Sequence, residues 1–444
     1  MLNYAKLRRM NPAEIRTMQD RALARAVREL VYPHHRHYRQ LMQQAGLGPD
    51  DLSRTDHLTR LPFTDREAVA QLCRQEGGPF LFCLERDAGG APPTDKTRPV
   101  QAFFAGGRTT PLTPIFYSRH DLEQTAAAGR RLFQIAGVNG ERPLVNAVPY
   151  GPYLSFWQIA AATLDQGITA VQTGGPRVMD VDKTLTALAN TRAATLVGCP
   201  NFLTYALNVG ARQGVRLEKL ERVLITGEPA TAGTRRRLSE ALAAVGAPAL
   251  PEAVHDVYLL TEAKAGWAEC RGGHGHHTYP DFEFLEIVDP VTGERRGEGE
   301  TGELVLTHLD ARATFLLRYR TGDIVEGGIT TTPCPACGTR VPRLGSLVYP
   351  AREIPVAGLR QALDACEVVG LWQLALAEGK LTVAASPADP GADPERMHAE
   401  LRRLVRGTLG YEPDRVEVLA AAELQRRLAT DREPREERVT FNAG

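Results

Sequence analysis

Between residues 143 and 226 short apolar runs alternate with longer helical ones, and that rhythm leaves few architectures open. Pro143-Leu144-Val145-Asn146-Ala147-Val148 precedes a helix expected near 155–165, and Ala170-Val171-Gln172 follows it. Ala194-Thr195-Leu196-Val197-Gly198 reads as a strand, 201–213 as a helix, and Arg222-Val223-Leu224-Ile225-Thr226 as the next strand. Strands alternating with helices at this spacing indicate an α/β body built largely on parallel sheet. Phe282 to Val288 and Gly302 to Thr307 read as a hairpin, with turn chemistry in Asp289-Pro290-Val291-Thr292-Gly293-Glu294 between them. After about residue 346 the pattern becomes a smaller α+β one. Its expected strands are Val368 to Leu376, Leu381 to Ala385 and Val416 to Leu419, with an amphipathic helix over Pro394 to Leu409. The 444 residues therefore divide into a large layered domain, 1–346, and a small one, 347–444, with the boundary near 346–356.

Residues 1–75 read as helical and polar. Within them His34, His35 and His37 are expected on a basic, partly exposed helix face rather than in a metal cluster. Leu61-Pro62-Phe63-Thr64-Asp65-Arg66 reads as a turn with a helix cap at Thr64 or Asp65. Basic and acidic residues balance at 53 each, which gives no reason to expect a nucleic acid or an anionic membrane as partner. Seven cysteines, an odd number over a long chain, argue against a disulfide framework. The first ten residues lack the apolar core of a signal peptide, so the expectation is a cytoplasmic protein.

Two of the cysteines stand three apart, Cys334-Pro335-Ala336-Cys337, about sixty residues beyond Cys270-Arg271-Gly272-Gly273-His274-Gly275-His276-His277. Thiolate sulfur and imidazole nitrogen are the donors of a tetrahedral zinc site, and Cys-x-x-Cys on a tight turn offers two sulfurs at the right separation. Pro333, Pro335 and Gly338 fit a rigid turn. The competing reading is a free thiol pair with histidines nearby by chance. A closed four-ligand zinc site is structural, so the chemistry is expected elsewhere.

Four stretches point to nucleotide chemistry. Gly227-Glu228-Pro229 ends a strand and opens a helix, at the sheet edge where open α/β folds bind ligands. Tyr258-Leu259-Leu260-Thr261-Glu262 ends the next strand, so Thr261 can donate to phosphate and Glu262 can hold a phosphate-bridging magnesium ion. Arg318-Tyr319-Arg320-Thr321-Gly322-Asp323 is expected to follow a strand, with Asp323 accepting from ribose hydroxyls. Ala105-Gly106-Gly107-Arg108-Thr109-Thr110-Pro111 is a loop whose amides, at Gly107 and Thr109 among others, can cradle phosphate.

In that order and spacing, these pieces resemble the phenylacetate–coenzyme A ligase branch of the adenylate-forming enzymes. The Tyr32-to-Tyr38 helix, Leu61-Pro62-Phe63-Thr64, Tyr150-Gly151, Asp289-to-Glu294 and Gly302-to-Thr307 extend the resemblance nearly end to end. It implies a large α/β body, a small mobile domain, and condensation of a carboxylate with ATP to an acyl-adenylate that is passed to coenzyme A. It further implies that Gly227, Glu228, Pro229 and Tyr258 frame adenine, Asp323 holds ribose, and Thr261 and Glu262 handle phosphate and magnesium. Tyr150, Tyr153, Phe156 and Pro200 would line the acyl pocket, against the plainer reading of ordinary core packing. Cys270, His277, Cys334 and Cys337 match the zinc site of several members, with His274 or His276 as substitutes. Dimers are common among such enzymes.

Three elements of the family pattern are eroded here. The usual Ser-Ser-Gly-Thr-Thr-Gly-Lys-Pro phosphate loop is replaced by Ala105 to Leu112, which loses two hydroxyls and the lysine and gains Arg108. The Gly-Arg-Ser-Asp-Asp hinge is replaced by Tyr349-Pro350-Ala351-Arg352-Glu353, and proline restricts φ where a hinge must turn. The C-terminal lysine is replaced by Arg435 or a neighbour, which keeps the charge but not the compact ammonium geometry. Three functions fit. The first is a divergent ATP-dependent enzyme that activates a small carboxylate and passes it to an amine, a carrier-protein thiol or coenzyme A. The second is an enzyme condensing an already activated acyl group. The third is a degenerate ligase fold acting as a scaffold.

Overall fold

The computed structural model describes residues 2–72, 74, 83–84, 97–105, 113–247, 251–377, 379–428 and 439–442. Its central sheet runs in the order 170–172, 144–146, 195–198, 222–226, 254–260 and 265–268. Every neighbouring pair is parallel except the last, where Tyr258 faces Trp267 across an antiparallel pair. The short apolar runs become strands because their residues alternate between two buried faces. Val145, Leu196, Val223 and Ile225 pack under the Pro200–Arg212 and Ala232–Ala244 helices. Leu144, Val197, Leu224 and Val257 pack under Arg119–Ala136 and Leu154–Asp165. A sheet covered on both faces meets solvent at its ends, and the carboxyl ends of five neighbouring parallel strands fall in one row.

A second sheet holds the expected hairpin, with Leu285 opposite Leu306. The Arg318–Asp323 stretch departs from expectation: it does not follow a strand but largely forms one, Tyr319–Glu326. Arg320 and Tyr319 pair with Val305 and Leu306, and Ile324 with Tyr349, so cross-strand pairing outweighs the turn character of Thr321-Gly322. Gly322 absorbs the irregularity with φ at +76°. Thr64–Asp65 joins the same strand in parallel, Thr64 beside Tyr319. Asp65 then caps the following Arg66–Leu72 helix, accepting from the Ala68 amide at 2.7 Å.

The histidine-rich face also needs correction. His35 is fully buried, and its extended backbone interrupts the helix between Tyr32–His34 and Arg36–Gln44. Its Nδ1 accepts from the Tyr38 amide and its Nε2 lies 3.2 Å from the Phe315 carbonyl, which anchors the segment to the body.

The small domain is a four-stranded sheet ordered 415–418, 380–387, 369–377 and 439–442, covered by Ala357–Ala365 and Pro394–Leu409. Its core begins at Val356, whereas Leu347–Pro350 still pairs within the large body's second sheet. Among the described residues no helix is long and apolar enough to cross a membrane.

Candidate functional site

Strands 254–260 and 319–326 belong to different sheets, and their residues meet beside the row of strand ends. The Tyr258 hydroxyl donates to Asp323 Oδ2 at 2.6 Å. Burial and then the Asp323 charge push this phenol well above its ordinary value, so it remains the donor and Asp323 the acceptor. Two residues past the same strand, Glu262 is almost wholly buried. Its Oε1 accepts from Tyr319 at 2.8 Å and from Arg66 at 3.0 Å. Burial opposes the charge of Arg66, but Glu262, Tyr319 and Asp323 more than offset it and hold the guanidinium above its ordinary value. The Thr261 carbonyl accepts from Tyr117 at 2.6 Å, and the Glu262 carbonyl lies 2.9 Å from His308 Nε2. The turn after Leu260 is thereby clamped from both sides, while the Thr261 residue itself stays partly exposed.

Gly227-Glu228-Pro229 leaves strand 222–226 next to strand 254–260, with Thr226 paired to Val257. Gly227 is exposed at φ +89°, a left-handed conformation that favours glycine. The structure therefore gathers this turn, Tyr258, Thr261, Glu262 and Asp323 at one edge. Gly107, Thr109 and Arg435 lie outside the described residues. Arg66, Tyr319 and Tyr117 were missed as site residues. The signal for Arg66 was its place beside the Thr64-Asp65 cap, because parallel pairing of Thr64 with Tyr319 carries the next residue toward Glu262.

The acyl-pocket candidates share the neighbouring strand ends. Tyr150 is 57% exposed and stands edge-on to Phe156 at 5.3 Å, with Trp157 at 5.8 Å. Tyr153 is the N-cap residue of the Leu154–Asp165 helix, and buried Pro200 opens the Pro200–Arg212 helix after strand 195–198. Trp157, unflagged in the sequence, completes the aromatic group and donates to the Gly151 carbonyl at 2.9 Å.

Cys270, His277, Cys334 and Cys337 place all their donor atoms within 4.8 Å of one another. Cys270 Sγ and Cys334 Sγ are 3.5 Å apart, and Cys337 Sγ and His277 Nε2 3.8 Å. A tetrahedron with metal–sulfur bonds of about 2.3 Å has an edge of about 3.8 Å, so the donor set fits zinc in both chemistry and size. The turn is held by the Gly338 amide on the Cys334 carbonyl at 2.8 Å, with Gly338 at φ +68°. Neither substitute histidine joins: His276 lies against Asp256 and the Gly345 carbonyl, and His274 is exposed.

No family model matches the chain. A phenylacetate-coenzyme A ligase of Thermus thermophilus is 27% identical over 354 residues, covering 78% of this chain and 73% of that one. The crystal structure of a 2-hydroxyisobutyryl-CoA ligase in its postadenylation state superposes with a TM-score of 0.79 at 18% identity, over 99% of this chain and 92% of the other. The same ligase in its thioesterification state superposes at 0.67 and 20% identity, with the same coverage. The fold is that of the adenylate-forming ligases. In sequence the chain is similar to phenylacetate-coenzyme A ligases.

Proposed function

We propose that this protein activates a small carboxylic acid with ATP and transfers the acyl group to an amine, a carrier-protein thiol or coenzyme A. A carboxylate oxygen attacks the α-phosphorus, the bond from that phosphorus to its bridging oxygen breaks, and pyrophosphate leaves with the electron pair. The acceptor then attacks the acyl carbonyl, AMP departs, and the acceptor's proton passes to solvent. The observation that carries this reading is the Tyr258–Asp323 pair beside Arg66 and Glu262, at the edge where the Gly227 turn emerges. A ribose suits Asp323, whose acceptor role Tyr258 maintains. Arg66 suits the phosphates, because guanidinium pairs bidentately with their oxygens and the charge developing there is what an electrostatic site must offset.

A magnesium ion, when bound, would neutralise part of the phosphate charge. Glu262 would hold it, since among the described residues both hydrogen bonds to its carboxylate use Oε1. Tyr150, Tyr153, Phe156 and Pro200 would bound the acyl group, with Trp157 behind them. Cys270, His277, Cys334 and Cys337 would bind zinc as a brace, joining the 276–277 strand to the Cys334–Gly338 turn against the N-terminal segment, where Arg8 donates to the Cys337 carbonyl at 2.9 Å.

The deciding experiment is pyrophosphate release with magnesium and ATP over a panel of aryl and alkyl carboxylates. Acid-dependent release supports the reading. No release with any acid, together with no binding of ATP or AMP, would sink it.

A further inference from the structure

The small domain is fastened to the large one by a fully buried carboxylate. Asp364 lies in the Ala357–Ala365 helix, the first helix of the small domain. Its Oδ2 accepts from the hydroxyls of Thr231 at 2.6 Å and Thr234 at 3.2 Å, and its Oδ1 from Arg237 at 2.7 Å. These three donors belong to the large domain; Trp372 of the small domain adds a fourth at 2.8 Å. Arg237 also reaches the Asp364 carbonyl at 2.6 Å, and Arg236 the Ala365 carbonyl at 2.9 Å. The backbones are in close contact as well. A Cβ on Gly233 would lie 1.9 Å from the Asp364 carbonyl oxygen, so only glycine permits this approach.

The place of attachment matters. Thr231 is the N-cap residue of the Ala232–Ala244 helix, its hydroxyl accepting from the Thr234 amide at 3.1 Å. It follows the Gly227-Glu228-Pro229 turn by two residues. Asp364 thus sets a negative charge on the positive end of the helix that leaves the candidate adenine turn. The linker is folded too. Pro350 closes a strand of the large body, Ala351–Val356 forms a tight helical turn, and Glu353 pairs with Arg360 in a buried ion pair. Over the whole chain, the superposition on the 2-hydroxyisobutyryl-CoA ligase is better for its postadenylation form than for its thioesterification form, with TM-scores of 0.79 and 0.67.

We infer that Asp364 and Arg237 form an interdomain latch, which positions the small domain for acyl-adenylate formation and must open before transfer to any acceptor that requires the domain to turn. Removing one partner leaves the other charge in a buried site, so the docked arrangement loses most of its advantage over alternatives. The latch governs acceptor access within the proposed reaction, but its existence is tested without that reaction.

The experiment uses the full chain, metal included, as wild type, Arg237→Ala, Arg237→Lys and Asp364→Asn. Hydrogen exchange is followed in 357–365 and 232–244, and the radius of gyration is measured by solution scattering. In Arg237→Ala, exchange in both helices should rise about tenfold or more and the particle should expand, while strands 369–377 and 380–387 keep their protection. Arg237→Lys should recover part of the effect. Where coenzyme A or an amine accepts the acyl group, the ratio of transfer rate to pyrophosphate-exchange rate should rise several-fold, a split that a merely structural role would not produce. Unchanged exchange and scattering in Arg237→Ala, or protection lost throughout the small domain, would overturn the latch. If Arg237→Ala fails to fold, Asp364→Asn is judged by the same two measurements. Absence of pyrophosphate exchange in the wild type would count against the adenylation reading alone, since the exchange and scattering results judge the latch by themselves.

Discussion

Tyr258 and Asp323 hold each other across two sheets, through a 2.6 Å hydrogen bond between residues 65 positions apart. Under the proposed function, a ribose placed on Asp323 would meet an acceptor whose direction is already set. Asp323→Asn should weaken ATP binding about 10- to 100-fold by calorimetry, the worth of a hydrogen bond to a charged group. Tyr258→Phe should weaken it less, because the carboxylate remains but loses its orientation. Equal affinity in wild type and Asp323→Asn would remove Asp323 from the site.

Arg66 and Glu262 make a partly buried ion pair, the arginine side chain 28% exposed and the glutamate 2%. Arg66→Ala should lower pyrophosphate release by about two to three decades, as loss of a charge on a developing anion does. It should also cost about 1–3 kcal/mol of stability, because the buried Glu262 carboxyl group loses a donor. Adding Glu262→Gln should recover the stability but not the rate. Denaturant unfolding of the two single variants and the double variant measures this coupling directly.

Cys337→Ser removes one of four soft donors. Metal analysis should find the bound zinc reduced or lost, and the melting temperature should fall by several degrees, as it should for wild type treated with a chelator. An unchanged metal content and melting temperature would exclude the site.

Glu283 gives the chain a pH dependence of definite sign. Burial pushes its carboxyl up to about 8, against partial relief from the Tyr279 amide and Trp267 Nε1, which donate to Oε1 at 2.8 and 3.0 Å. The folded protein thus keeps a proton that the unfolded chain releases near the ordinary glutamate value. The associated stability is complete at acid pH and is lost as pH rises through about 8. Its slope cannot exceed the single-proton limit of about 1.4 kcal/mol per pH unit. Glu283→Gln should gain in melting temperature relative to wild type between pH 6 and 9. A constant difference across that range would refute a protonated Glu283.

The elements legible in the sequence were those decided by neighbours along the chain. The strands at 144–146, 195–198 and 222–226 declared themselves by short apolar runs, and the Pro394–Leu409 helix by its period. The Cys334–Gly338 turn was legible because its two cysteines and its glycine are local. His35 and Tyr319–Glu326 were misread for one reason: burial against distant partners overrode the local signals of a basic stretch and of a Thr-Gly turn.

By itself the sequence determined the layered α/β body, the small α+β domain and the candidate strand-end residues, because periodicity and turn chemistry act over a few positions. Tertiary structure alone decided which charges meet. Arg66 reaches Glu262 across 196 positions and Arg237 reaches Asp364 across 127. A pairing at that distance depends on how sheets and domains pack, and the identity of a single arginine does not encode it.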